Sequence, residues 1–181
     1  MLTRIVSVAG IVLVFFMVAG AVNIAEAGDP GTVVVAMGGG SLQDVAFQGT
    51  DVYGDATFSF FVGYDKKGNL KGSFFVKRVS IAKGVRAAIS TEITDLEVEQ
   101  EGHGCPWMTM SGNAVFKAYW DPKGEPGYTF TLEAWDCDSR GKGADMILLT
   151  VDGRPALTLV DPTVLDGGNI MIPYPDDLYL P

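Results

Sequence analysis

The chain has 181 residues, 48% of them hydrophobic and 19% charged, with 22 acidic against 13 basic side chains and a net charge of −9. That length suits one domain with a real core. The charge argues against a nucleic-acid partner, because phosphate binding needs a basic surface and the basic residues here are scattered or paired, as in Lys66-Lys67 and Lys77-Arg78.

The N-terminus sets the expected compartment. Arg4 precedes an apolar run from residue 5 to 22, and Ala25-Glu26-Ala27 then offers a small-x-small site ahead of Gly28. This order reads as a secretory signal helix over residues 1–27, cleaved after Ala27. The apolar run is near the minimum length for crossing a bilayer, so membrane attachment is expected only through an uncleaved leader. No cysteine follows the run to carry a lipid. The expected location is secreted or periplasmic, with a domain over 28–172 and a proline-rich, acidic tail over 173–181.

Within the domain, turn signals recur about every ten residues, the rhythm of an all-β fold. A β-branched run at 32–37 predicts a strand, and Gly38-Gly39-Gly40 a break after it. Residues 56–64 alternate Phe58, Phe60 and Val62 with Thr57, Ser59 and Phe61, a period of two. Asp65-Lys66-Lys67-Gly68-Asn69 is a turn, and 70–80 returns with Phe74 and Val76 on one face. After a turn at 82–84, strands are expected at 85–90 and 93–99, then a loop at 101–104. Residues 107–120 carry Ala114, Phe116, Ala118 and Trp120 in step. A turn at 121–126 precedes the alternation Tyr128, Phe130, Leu132, Ala134. A turn at 138–143, a nearly continuous apolar strand at 145–151, short strands at 156–160 and 169–172, and one helical turn at 161–165 complete the reading. Sequential hairpins closing on themselves would remove exposed edges. The predicted fold is therefore all-β: a single antiparallel β-barrel or barrel-like sandwich of about 8–10 strands.

The domain holds two cysteines, an even count that in an exported protein predicts a Cys105–Cys137 disulfide. Cys105 lies two residues before Trp107 and Cys137 two after Trp135, so each tryptophan shares a strand face with its cysteine. A hairpin turning near 123–124 does not set 105 opposite 137, so a bulge or a loop position for Cys105 has to absorb the difference.

Gly38-Gly39-Gly40-Ser41-Leu42, Gly54-x-Ala56-Thr57-Phe58-x-Phe60, Gly68-Asn69-Leu70, Gly127-Tyr128-Thr129-Phe130-Thr131-Leu132 and Gly167-Gly168-Asn169-Ile170 occur in that order. The set resembles the bacterial secreted β-domain of the post-COAP-1 type, over roughly residues 38–172. The resemblance implies a non-catalytic accessory domain of extracellular and surface proteins, and it assigns no catalytic residue. The cysteine pair departs from that pattern.

His103 is the single histidine, so any Ser-His-Asp or Cys-His mechanism would have to use it. It lies in Glu101-Gly102-His103-Gly104-Cys105, a glycine-flanked loop with nothing to orient it, and the disulfide would remove Cys105 as a nucleophile. Asp136-Cys137-Asp138-Ser139-Arg140-Gly141 begins like a calcium loop, but Arg140 stands where an oxygen ligand belongs and Ile147 where a bidentate glutamate is required. A looser Ca2+ site from Asp136, Asp138 and Asp145 is the one cofactor reading left open. One histidine and two bridged cysteines cannot make a four-ligand zinc site. Asp176-Asp177 lacks the apolar setting that would raise a carboxyl's pKa for acid catalysis.

Phe58, Phe60, Phe74, Phe116 and Phe130 fall on inward faces, where they either fill a small barrel or line a pocket in a roomy one. Tyr53, Tyr119 or Trp120 at a rim would suit stacking on a sugar or a polymer. The expected function is a secreted, non-catalytic β-domain with an interaction or structural role toward an extracellular or surface partner. The alternative is a barrel that binds a small apolar ligand or a carbohydrate.

Overall fold

The structure, a computed structural model, describes residues 33–49, 53–80, 84–102, 105–118, 121–137 and 145–172. The expected leader, the turns at 82–84 and 138–143, His103, Tyr119, Trp120, Asp138 and the tail fall wholly or mainly outside them.

The described residues form β1 (Val33–Val45), β2 (Gly54–Tyr64), β3 (Leu70–Ser80), β4 (Gly84–Gly102), β5 (Cys105–Ala118), β6 (Asp121–Trp135), β7 (Met146–Val151), β8 (Thr163–Val164) and β9 (Gly167–Met171), with one 3-10 turn at Pro155–Leu157. They make one nine-stranded antiparallel sheet in the order β8-β7-β6-β5-β4-β3-β2-β1-β9, curled into a half-barrel. The predicted all-β class is what the structure has.

Alternation decides which side faces in. Ala56, Phe58, Phe60 and Val62 of β2, Phe74 and Val76 of β3, and Phe130, Leu132 and Ala134 of β6 are buried, as are Met108, Met110, Ala114 and Phe116 of β5. All belong to one core cluster. The Phe74 and Phe130 rings stack with centroids 4.6 Å apart. Their strands have β4 and β5 between them in the sheet, a separation of about 14 Å along a flat surface at ~4.8 Å per strand. The rings can meet only because the sheet bends back on itself, so this stack spans the interior.

The segment after β7 closes the open side. Thr158 Oγ1 accepts the Val151 amide (2.9 Å), and the Leu159 amide donates to Leu149 O (2.8 Å). On its far side the same segment meets the chain beyond β1, with Gln48 N donating to Thr158 O (2.8 Å) and a bridge from Phe47 to Leu159. Further on, β8 pairs with the start of β7 and β9 with Met37–Ser41 of β1. Edges that would otherwise present unpaired N–H and C=O groups are thereby covered.

Several boundaries differ from the sequence reading. The triple glycine lies inside β1, paired with β2 and β9. Close packing explains its composition, since a Cβ on Gly40 would fall 2.5 Å from Gly167 O, and one on Gly38 2.8 Å from Phe60 Cε1. The strands expected at 85–90 and 93–99 are one strand, β4, interrupted by register shifts between Ser90 and Glu92, between Ile93 and Asp95 and between Glu99 and Gly102. The turn expected at 121–126 is the first part of β6: Asp121 already pairs with Ala118, and two bulges accommodate the glycines and prolines. Residues 156–160 hold the 3-10 turn and a connector, and the helical turn expected at 161–165 is replaced by β8. The 65–69 turn forms as expected. The Asp65 carboxylate accepts the amides of Lys67 (2.8 Å) and Asn69 (2.9 Å). Its hydrogen bonds, led by that from the Asn69 side chain, hold its pKa below the ordinary value.

The core leaves no room for an added methyl at β5. A Cβ on Gly112 would lie 2.1 Å from Glu92 O and 3.0 Å from Phe130 Cε1. Gly112→Ala is expected to cost about 1–3 kcal/mol by overpacking, read as a lower urea midpoint at unchanged slope. An unchanged midpoint would show that this contact is slack.

Candidate functional site: the two mouths of the barrel

The polar residues that the fold buries collect at its two ends. At one end, where β6 stops and β7 begins, Asp136 and Asp145 point inward. Asp145 is 2% exposed. Its Oδ1 accepts the Cys137 amide (3.1 Å) and its Oδ2 the Ile170 amide (2.7 Å), while its own carbonyl accepts Leu165 N (2.9 Å). Asp136 Oδ2 accepts the Ile172 amide (3.0 Å), and Asp136 N donates to Pro106 O (2.9 Å). Ile170 lies opposite Gly38 of β1, but its amide, like that of Ile172 just beyond β9, is given to a carboxylate. The two carboxylates take the place of the missing neighbour strand and clasp β9 to the β6–β7 end.

The sequence reading put Asp136 and Asp145 with Asp138 in a loose calcium site. The structure gives the first two amide partners, and Asp138 lies outside the described residues. Among the described residues, no group of three or more His, Cys, Asp or Glu side chains is gathered as a metal site would need.

On the opposite face of the sheet at this end, Cys105 and Cys137 are joined as a disulfide with Cα atoms 4.8 Å apart. The bulges do what the sequence argument required of them. Ala118 pairs with Asp121, Phe116 with Glu125 and Ala114 with Tyr128, and after those two shifts the register runs to Trp107 opposite Trp135. One step further along the same face comes the bridge. Trp135 is buried and Trp107 half-buried, so the tryptophans flank the disulfide.

The other mouth holds arginines, which sequence reasoning did not single out. Arg78 of β3 is 2% exposed and lies directly opposite Arg86 of β4. Its guanidinium sits 4.1 Å over the Phe47 ring and donates to Ala156 O (2.8 Å). Burial, and then the neighbouring Arg86 charge, pull its pKa below the ordinary arginine value. Arg154 lies over the rings of Phe116 (4.0 Å) and Tyr128 (4.5 Å), pairs with Glu125 and donates to the Tyr128 hydroxyl. The Tyr128 hydroxyl in turn donates to Glu125 (2.7 Å), which with desolvation raises the phenol's pKa against the opposing pull of Arg154. Stacked guanidinium planes of this kind brace a rim and fix the direction of their remaining donors. Arg78 was legible in principle, because it continues the inward period of Phe74 and Val76. Arg154 sits in an irregular connector with no such signal.

Phe58, Phe60, Phe74, Phe116 and Phe130 are 1–6% exposed and belong to the single core cluster. Tyr53 is 64% exposed and precedes Gly54, at which a Cβ would lie 3.1 Å from Arg78 Nε. Among the described residues no helix is long and apolar enough to cross a membrane. A disulfide-bonded β-domain is compatible with an oxidising extracellular or periplasmic compartment.

No family model matches the chain, and neither a curated protein nor a solved structure matches it.

Proposed function

We propose that the chain is exported after cleavage of residues 1–27, and that it works as a non-catalytic β-domain with an interaction or structural role at or beyond the cell surface. The observation that carries the reading is the Phe74–Phe130 stack across the interior. A carrier needs a void of several hundred Å3, whereas here the inward phenylalanines meet one another and the glycines beside them have no space for a Cβ. The domain then acts through its surface, on a frame stapled by Cys105–Cys137. The resemblance to the post-COAP-1 type domain agrees with this reading.

Titration with an apolar fluorescent dye (aminoanthracene) and with a long-chain fatty acid tests it. No saturable binding is expected. Stoichiometric binding abolished by Phe74→Trp would overturn the proposal in favour of an apolar-ligand carrier.

A further inference from the structure

We propose that the far end of β4, residues 97–102, is a docking edge for an extended, cationic segment of a protein partner, which adds to the sheet as a further strand. The inference deepens the interaction role proposed above by naming the partner's chemistry.

The edge comes from the topology. The β3–β4 ladder runs from Ser80 opposite Gly84 to Phe75 opposite Ile89 and stops there. One step on, the Ser90 hydroxyl accepts the Phe74 amide (2.7 Å), and two of the three irregularities of β4 follow, after which the register with β5 runs evenly from Asp95 to Glu99 before the third, between Glu99 and Gly102. Because β3 begins only at Leu70, the end of β4 runs past it. That end pairs with β5 on one side and with no other strand among the described residues. About 20 Å of edge is left with backbone groups facing outward, at ~3.3 Å per residue. Edges of this kind accept an added strand through main-chain hydrogen bonds, while alternate side chains set the specificity.

The side chains next to this edge select the occupant. Asp95, Glu97 and Glu99 are exposed on the outer face, opposite Ser111, Thr109 and Trp107 of β5. Among the described residues none of the three carboxylates has a salt-bridge or hydrogen-bond partner. On the inner face, Leu96 and Val98 are only partly buried against the core. An incoming strand would thus set every second residue beside Glu97 and Glu99, and the residues between beside Val98. The matching sequence alternates lysine or arginine with apolar residues. A second copy of this chain is a poor occupant, because like charges would lie directly across the new ladder. The net charge of −9 adds attraction for a cationic segment at longer range.

The test is calorimetric titration of the purified protein with a Lys-Val-Lys-Val-Lys-Val-Lys peptide, against a block peptide of the same composition, with hydrogen exchange of residues 97–102 followed by NMR. Expected are saturable binding of the alternating peptide, slowed exchange at alternate amides up to Glu99, where the register with β5 is even, and affinity lowered by roughly tenfold or more in Glu97→Lys/Glu99→Lys. These residues are exposed, so the variant should keep the wild-type melting midpoint. Equal affinity for the block peptide, unchanged edge amides on binding, no binding at all, or edge amides already protected in the free protein would each overturn the proposal. None of these results would affect the filled-interior reading, which the dye titration decides separately.

Discussion

Replacing both bridge cysteines, Cys105→Ala with Cys137→Ala, is expected to lower the unfolding free energy by about 3–4 kcal/mol in the chain-entropy view of a cross-link. The bridge spans 32 residues of sequence, the whole of the β5–β6 hairpin and its tip. It lies at the open end of that hairpin, where strands fray most readily. It also holds Cys137, whose amide reaches Asp145. Freeing that position should therefore loosen the grip on β9 as well as the hairpin end. Urea unfolding of the double variant, with hydrogen exchange at Ile170, measures both effects. A loss below about 1 kcal/mol would mean that the β5–β6 ladder alone fixes this end, and that the bridge adds little to the folded chain.

Asp145→Ala is expected to have an effect of similar size for a different reason. The carboxylate is buried and serves two amides, those of Cys137 and Ile170. Removing it leaves both donors without this acceptor, at about 1–3 kcal/mol for each buried group left unsatisfied. Asp145→Asn retains one carbonyl oxygen and should cost less. The ordering of wild type, Asn and Ala in chemical denaturation is the diagnostic, with β9 amides losing protection ahead of global unfolding in the Ala variant. If the Asn and Ala variants were equally stable, the two amides would have other acceptors, and the clasp would be incidental.

Both predictions concern the closure of the barrel, which is the part of the fold least visible in the sequence. The long strands were legible because alternation of Phe58, Phe60 and Val62, or of Phe130, Leu132 and Ala134, reports burial on one face directly. The bridge was legible from two cysteines behind an N-terminus that reads as an export signal, and even the need for a bulge followed from counting along the hairpin. What failed were positions where tertiary contact overrides local chemistry. Gly38-Gly39-Gly40 looks like a break, yet it is a strand because β9 and the Phe60 ring pack too closely for any larger residue. Asp121-Pro122-Lys123-Gly124-Glu125-Pro126 carries strong turn residues, yet they serve the bulges of β6. For Asp136 and Asp145 the sequence could not show which backbone amides arrive beside each carboxylate. In the fold those amides belong to Ile170 and Ile172, far along the chain. The arginine mouth went unread for the same reason, since Arg78 meets Phe47 and Ala156 only when the barrel closes.

The central claim is that the interior is filled by side chains meeting from opposite walls. The most direct measurement is a nuclear Overhauser spectrum of the oxidised protein, read at the ring protons of Phe74 and Phe130. With centroids 4.6 Å apart, strong cross-peaks between the two rings are predicted. Their absence, with both rings instead showing contacts to solvent or to an added apolar ligand, would contradict the account.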